Sequence, residues 1–126
     1  MRRFISTLFA VVFLFTAIPA QAALDDSETW KLAQKIVETY LEEYEDCSDF
    51  TFPWMDYRIA RKKNVYSVYA DVKYEDEDGE NQRDYFGLIM KVDNNKLSNF
   101  TLMLGLRMVI FDAASDEVIV SYPYKD

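Results

Sequence analysis

The first periodic segment of hydrophobic residues lies between residues 27 and 45 and has the spacing of an amphipathic helix. Charged and amide side chains separate apolar side chains that recur every three or four positions. The apolar positions are Trp30, Ala33, Val37, Tyr40 and Tyr44. This spacing places one wide apolar stripe along the helix, so the pattern predicts a helix over residues 27–45.

The residues just before this stripe have the composition of a helix N-terminus. Asp25 precedes Glu28 by three positions, which is the spacing of a capping box. In that motif the two side chains each accept a hydrogen bond from the other residue's backbone N–H. Ser27 is an alternative N-cap. The helix is therefore expected to begin at this box.

The rest of the chain alternates between apolar and polar residues with a period of two, which is typical of strands with one buried face. The longest alternating runs cover residues 66–74 and 86–92. Between the second run and the next, Asp93–Lys96 has the asparagine-rich composition of a tight hairpin. Further strands are predicted at 57–59, 97–104, 106–112 and 117–122.

These elements predict an α+β fold, with one N-terminal amphipathic helix packed on an antiparallel meander sheet of five or six strands. Neither element can bury its apolar side alone, so the helical stripe must cover one face of the sheet. No repeat or linker interrupts residues 23–126. We therefore expect this stretch to form a single domain.

Residues 1–22 have the three parts of a secretory signal peptide. Arg2 and Arg3 precede a short apolar run, and Ala20-Gln21-Ala22 provides a small-x-small exit. The run covers about 15 residues, which is short of the roughly 20 that span a bilayer as a helix. We expect cleavage after Ala22 and export to the periplasm, with full secretion as the second alternative and a retained N-terminal anchor as the third.

Composition and charge exclude several classes of function. The chain has no histidine and one cysteine, which excludes Ser-His-Asp and Cys-His catalysis, histidine metal sites and a disulfide within one chain. The formal net charge of −8 becomes −10 without residues 1–22, because they carry two arginines and no acids. We expect no nucleic-acid partner, no membrane association after signal cleavage and no cofactor.

The order of a long helix followed by an antiparallel meander resembles the cystatin-like and NTF2-like α+β folds, in which a curved sheet wraps a helix. The resemblance is one of architecture and covers most of residues 23–126. No turn carries the Gln-x-Val-x-Gly loop of cystatins, so protease inhibition is unsupported. The NTF2-like resemblance implies a small-ligand carrier with a pocket between helix and sheet. The candidate pocket residues are Trp30, Tyr40, Tyr66 and Phe86.

Large apolar side chains also fall on the side of the sheet that one helix cannot cover. The alternation places Tyr69, Tyr85 and Ile89 outward, and strand 106–112 is apolar on both faces. An uncovered apolar face indicates contact with a partner. We predict a non-catalytic interaction module that binds a protein partner or a second copy of the chain. The predicted surface consists of Tyr69, Tyr85, Ile89, Val109 and Phe111.

One acidic segment and one strand carboxylate are weaker candidates for a site. The spacing of acidic residues around Gly79 does not fit an EF-hand, so residues 75–81 are predicted to form a solvated hairpin turn. A weak divalent cation site is the alternative. Asp84 lies on the apolar side of its strand and is the candidate general base of a carboxylate enzyme. Nothing else supports catalysis, so we expect no enzyme.

The end of the predicted helix is acidic and carries the single cysteine. Acids there oppose the helix dipole, so we expect the cluster to be a solvated face. Partial neutralisation by the basic residues at 58–63 is one alternative, and docking of an acidic partner on those basic residues is another. Cys47 is expected to be a buried structural thiol, because nearby carboxylates lower the reactivity of a thiol. A disulfide to a second chain is the alternative.

Overall fold

A computed structural model describes residues 23–53, 57–94 and 96–122 of the protein. Within these ranges the chain forms one helix followed by seven strands. They are α1 (Asp26–Glu45), β1 (Ser48–Thr51), β2 (Arg58–Lys62), β3 (Val65–Glu75), β4 (Asn81–Asp93), β5 (Lys96–Leu104), β6 (Arg107–Asp112) and β7 (Glu117–Ser121). The predicted signal peptide lies outside the described residues. No helix among the described residues is both long and apolar enough to cross a membrane.

Helix α1 begins at the predicted capping box and ends one residue before a left-handed turn. The Glu28 backbone N–H donates to Asp25 Oδ1 at 2.7 Å, and the Asp25 N–H donates to Glu28 Oε1 at 2.9 Å. At the other end Asp46 has a φ of 56°, and the Cys47 N–H donates to the Leu41 carbonyl at 3.0 Å. The helix predicted over 27–45 is thus confirmed, with one further residue at its start.

The strands form one antiparallel sheet in the order β1-β3-β4-β5-β6-β7, and β2 pairs with the same edge of β3 as β1 does. The predicted α+β class and the meander from β3 to β7 are confirmed. The hairpin at Asp93–Lys96 joins β4 to β5, where these two residues are cross-strand partners. The predicted count of five or six strands is too low. The sequence prediction did not include β1. This strand has four residues, its register with β3 is irregular, and Asp49 within it has a φ of 57°.

Helix α1 packs on one face of the sheet, here called the inner face, and the opposite side is the outer face. Alternate residues of β3, β4 and β5 point inward and are buried together with the helical stripe. Full burial of a large apolar side chain contributes about 1.5–3 kcal/mol, so this layer dominates stability. The largest fully buried side chains include Tyr40, Phe100, Phe111, Ile36, Leu41, Leu88 and Met90.

Candidate functional site

The outer face of the sheet carries a group of large apolar side chains that no element among the described residues covers. They are exposed to 51% at Tyr69, 72% at Tyr85, 46% at Ile89, 44% at Met103 and 40% at Ile110. We call these five residues the outer apolar band. Three of the predicted surface residues, Tyr69, Tyr85 and Ile89, therefore lie where the alternation placed them.

Cross-strand register arranges the outer face in rows that run across the strands. The first row joins the end of β2 to the start of β7, the second passes through Ile89 and Ile110, and the third passes through Tyr69 and Met103. The first row is Lys62, Val65, Lys91, Asn99, Asp112 and Glu117. The second is Ala60, Ser67, Ile89, Thr101, Ile110 and Ile119, and the third is Arg58, Tyr69, Gly87, Met103, Met108 and Ser121.

The third row is shaped by a close contact between Tyr69 and Gly87. A Cβ atom added at Gly87 would lie 3.0 Å from Tyr69 Cε1 and 3.1 Å from Cδ1. The tyrosine ring therefore lies over the glycine, in space that any other side chain at position 87 would occupy. The missing side chain keeps this part of the outer face flat.

The prediction that Val109 and Phe111 belong to the exposed surface is wrong. Val109 is 0% exposed and Phe111 is 1% exposed. Register with β5 pairs Val109 with Leu102 and Phe111 with Phe100, both of which face the helix side. Because β6 is apolar on both faces, its residue pattern did not indicate which face points inward. Ile110 is the residue of β6 that the outer face exposes.

One buried carboxylate lies at the rim of the outer apolar band. Asp71 is buried opposite Tyr85, and its Oδ2 accepts hydrogen bonds from Arg83 Nε at 2.6 Å and Nη2 at 2.5 Å. No donor in the described part of the chain reaches its Oδ1 atom. A cleft of about 410 Å³ beside Asp71 is lined by Arg58, Tyr69, Ala70, Tyr85 and Phe86. The exposed tyrosines thus flank a buried charge rather than a purely apolar surface.

Charge is divided between the two halves of the outer face. Within the three rows, all charged residues on β2, β3 and β4 are basic. They are Arg58, Lys62 and Lys91. The outward positions of β6 and β7 carry Asp112 and Glu117 and no basic residue. One half is therefore basic and the other acidic, in a chain whose formal net charge is −8.

The residues predicted to line an internal pocket do not share a cavity among those described. Tyr40 and Tyr66 are buried, and each hydroxyl is hydrogen-bonded, Tyr40 to Glu45 and Tyr66 to the Leu24 backbone N–H at 3.0 Å. Trp30 is half-buried and stacks on Tyr57 at 4.4 Å between ring centroids. The fourth, Phe86, lines the small cleft beside Asp71. Trp30 and Phe86 are linked through Phe52, whose ring packs edge-on against both.

A cluster of polar side chains at the C-terminal end of α1 was not predicted. Arg107 donates to both oxygens of Glu45, from Nε at 2.9 Å and from Nη2 at 2.8 Å, and from Nη1 to Asp84 Oδ2 at 3.0 Å. The Tyr74 hydroxyl donates to the same Asp84 oxygen at 2.5 Å. Tyr40 donates to Glu45. The candidate base Asp84 is therefore held by a cation and a phenol.

Burial and these contacts change the proton affinities in the polar cluster. Burial, followed by the hydrogen bond to Asp84, raises the pKa of Tyr74 to about 12. The pKa of Tyr40 rises above its usual range for the same kind of reason, first burial and then the bond to Glu45. Burial alone would lower the pKa of Arg107, but hydrogen bonds to Glu45 and Tyr74 raise it. Both phenols stay neutral and Arg107 stays charged at neutral pH.

A cleft of about 920 Å³ opens above this cluster, and its rim is acidic. Asp76 on the rim accepts hydrogen bonds from the Asp78 and Glu80 N–H groups at 2.9 Å and from Gln82 Nε2 at 2.8 Å. The bond from Glu80 contributes most to lowering the pKa of Asp76. Within the described residues no group of three or more potential ligand side chains is placed to hold a metal ion.

Two expectations for the end of the helix have different outcomes. The ion pair that the structure shows for the acidic helix end joins Glu45 to Arg107, so the alternative of neutralisation by residues 58–63 does not describe this contact. Cys47 is a free, buried thiol, and burial, followed by the Glu45 charge, raises its pKa to about 11. The prediction that Cys47 is a buried structural thiol agrees with this environment.

Comparison with protein-family models, with curated proteins and with solved structures finds no significant match to this chain.

Proposed function

We propose that the protein is a non-catalytic binding module that contacts a protein partner through the outer face of its sheet. The observation that supports this most is the outer apolar band, whose five side chains are 40–72% exposed on one continuous face. Soluble proteins seldom leave an apolar patch of this kind uncovered. Tyrosine and methionine, which form three of its five members, are enriched in protein interfaces.

The placement of the band also favours binding over a purely structural role. Helix α1 covers the inner face, where the residues are buried, so the outer residues add nothing to that core. Charged side chains border the band on β2 to β4, and a polar rim around an apolar centre is the usual anatomy of an interface. We also propose export to the periplasm, on the strength of residues 1–22 alone.

A photo-crosslinking amino acid tests the proposed surface directly. It replaces Tyr85 or Ile89 on the outer face and, as the matched control, exposed Lys35 on the helix. On irradiation of the native cells we expect adducts from positions 85 and 89 and none from position 35. Equal yields at the three positions, or no adduct from the sheet positions, would overturn the proposal. The intact mass of the recovered protein shows whether the chain begins at Ala23, as export predicts.

A further inference from the structure

The opposite charges on the two halves of the outer face make this face complementary to itself. Lys62 and Glu117 are the first and last residues of the same row, at opposite edges of the sheet. Two copies of such a face attract each other when the basic half of each covers the acidic half of the other. An unrelated acidic partner would meet only one half favourably.

We infer that the partner bound by the outer face is a second copy of this chain, related by a two-fold axis parallel to the strands. This inference rests on the proposed function. The axis passes between β4 and β5, in the middle of the six strands that run from β2 to β7. It places β2 over β7 of the second copy, β3 over β6, and β4 over β5, and it keeps each row in register.

Charge selects this axis over the other two-fold arrangement of two stacked sheets. An axis in the interface but perpendicular to the strands would place every strand over its own copy. Such an axis also reverses the order of the rows, so an axis through the second row would place Lys62 of one copy over Arg58 of the other. Like charges facing each other across an interface are strongly unfavourable. The parallel axis instead gives a self-complementary interface with nearly aligned strands, as in other sheet-on-sheet packings.

The rows identify the contacts that this arrangement makes. In the first row Lys62 faces Glu117 of the second copy, and the symmetry produces this pair twice. In the third row Tyr69 faces Met108 of the second copy, so a methionine sulfur meets an aromatic ring. In the second row Ile110 of one copy lies over Ser67 of the other, next to Ile89. The two ion pairs therefore lie at the two edges of the first row, beside the apolar contacts of the other two rows.

The size of the face sets the expected strength of association. Six strands spaced about 4.8 Å apart make the face roughly 24 Å wide. Three rows with their side chains make it roughly 20 Å long in the direction of the strands. Each copy therefore contributes roughly 500 Å², at the low end of specific interfaces. We expect a reversible dimer that dissociates in the micromolar range.

A charge-swap experiment tests the pairing of Lys62 with Glu117. Sedimentation equilibrium measures the dimer dissociation constant of the protein, of Lys62→Glu, of Glu117→Lys and of the double variant. Each single reversal is expected to weaken the dimer by about tenfold or more, because it places like charges together twice, and the double reversal to restore it to within about threefold. The matched controls Lys35→Glu and Glu42→Lys change the net charge equally on the exposed side of α1 and leave the constant unchanged.

The outcomes separate this inference from the proposed function. A monomeric protein, or a double variant no better than the single ones, overturns the second-copy inference. Should a reversal prevent folding, Ile110→Glu replaces it, because this side chain is 40% exposed and its loss spares the core. That variant is expected to be a folded monomer, and a folded dimer overturns the inference. A crosslinked adduct of position 89 with a different protein overturns it too, while the proposed binding face stands.

Discussion

Tyr69 covers Gly87 on the neighbouring strand, with its ring atoms in the space of a missing side chain. The two residues are direct cross-strand partners in the centre of the outer face. The tyrosine ring is kept low on the sheet as a result, which allows a second flat surface to approach.

Gly87→Ala is expected to disturb this surface while leaving the fold intact. The added Cβ would lie 3.0 Å from Tyr69 Cε1, so the half-exposed ring must swing outward. Because alanine suits a strand better than glycine does, we expect the free energy of unfolding to change by less than about 1 kcal/mol. Urea unfolding and sedimentation measure the two effects. A loss of several kcal/mol, or an unchanged dimer constant, would show that the contact has another role.

Replacing Arg107 is expected to cost far more stability than replacing an exposed arginine. Arg107→Met leaves Glu45 and Asp84 without their cation in a partly buried site, and such losses cost about 3 kcal/mol or more. The control Arg58→Met lies on the exposed surface and should stay within about 0.5 kcal/mol of the parent. Urea unfolding checks both, and similar losses would contradict a buried role for the cluster.

The raised pKa of Tyr74 makes stability depend on alkaline pH. The phenol titrates near 10 in the unfolded chain and at about 12 in the folded protein, so its contribution is complete below pH 10. The contribution of Tyr74 to stability is lost as the pH rises from 10 through 12, because the unfolded chain has released the phenol proton while the folded protein still holds it. Absorbance at 295 nm checks this. The difference between the protein and Tyr74→Phe should have its midpoint near pH 12, and a midpoint near 10 would refute it.

Asp71 and Arg83 form an ion pair whose two halves should respond unequally to substitution. Asp71 is buried and Arg83 is about half exposed. Arg83→Ala leaves a buried carboxylate without this cation and is expected to cost about 3 kcal/mol. Asp71→Ala frees an arginine that water can solvate and also removes the Oδ1 atom that lacks a donor, so we expect about 1 kcal/mol or less. Equal losses in urea unfolding would contradict this asymmetry.

Cys47 is expected to resist alkylation in the folded protein. Burial and the nearby Glu45 charge raise its pKa to about 11, so little thiolate exists at pH 8.5. Iodoacetamide should label it more than about 100-fold more slowly than the thiol of the urea-unfolded chain, as followed by intact mass. Comparable rates would mean that the thiol is exposed. A dimer that persists only in the absence of a reductant would indicate that a disulfide, and not contact between outer faces, holds the two chains together.

Local patterns predicted those parts of the fold that depend on near neighbours. The stripe from Trp30 to Tyr44 and the box of Asp25 with Glu28 are set within a few residues, so the helix was placed to within one residue. The long strands with one polar face were placed equally well, because alternation shows which side is buried. The outward positions of Tyr69, Tyr85 and Ile89 followed from the same alternation.

Contacts between distant segments could not be predicted in this way. Arg107 and Glu45 are 62 residues apart, and a single arginine after a turn carries no periodic signal. Val109 and Phe111 were assigned to the wrong face because β6 is apolar at every inward and outward position near its centre. The charge division of the outer face became visible only with the register, which places Lys62 and Glu117 in one row.

Native mass spectrometry of the purified protein tests the pairing of outer faces most directly, since it counts the chains in a particle and detects any other bound molecule. At concentrations of tens of micromolar we expect a particle of two chains, in the presence of reductant and without added ligand. Ile110→Glu, measured alongside, should give one chain. A parent protein that remains a single bare chain over the same concentrations would contradict a face covered by a second copy.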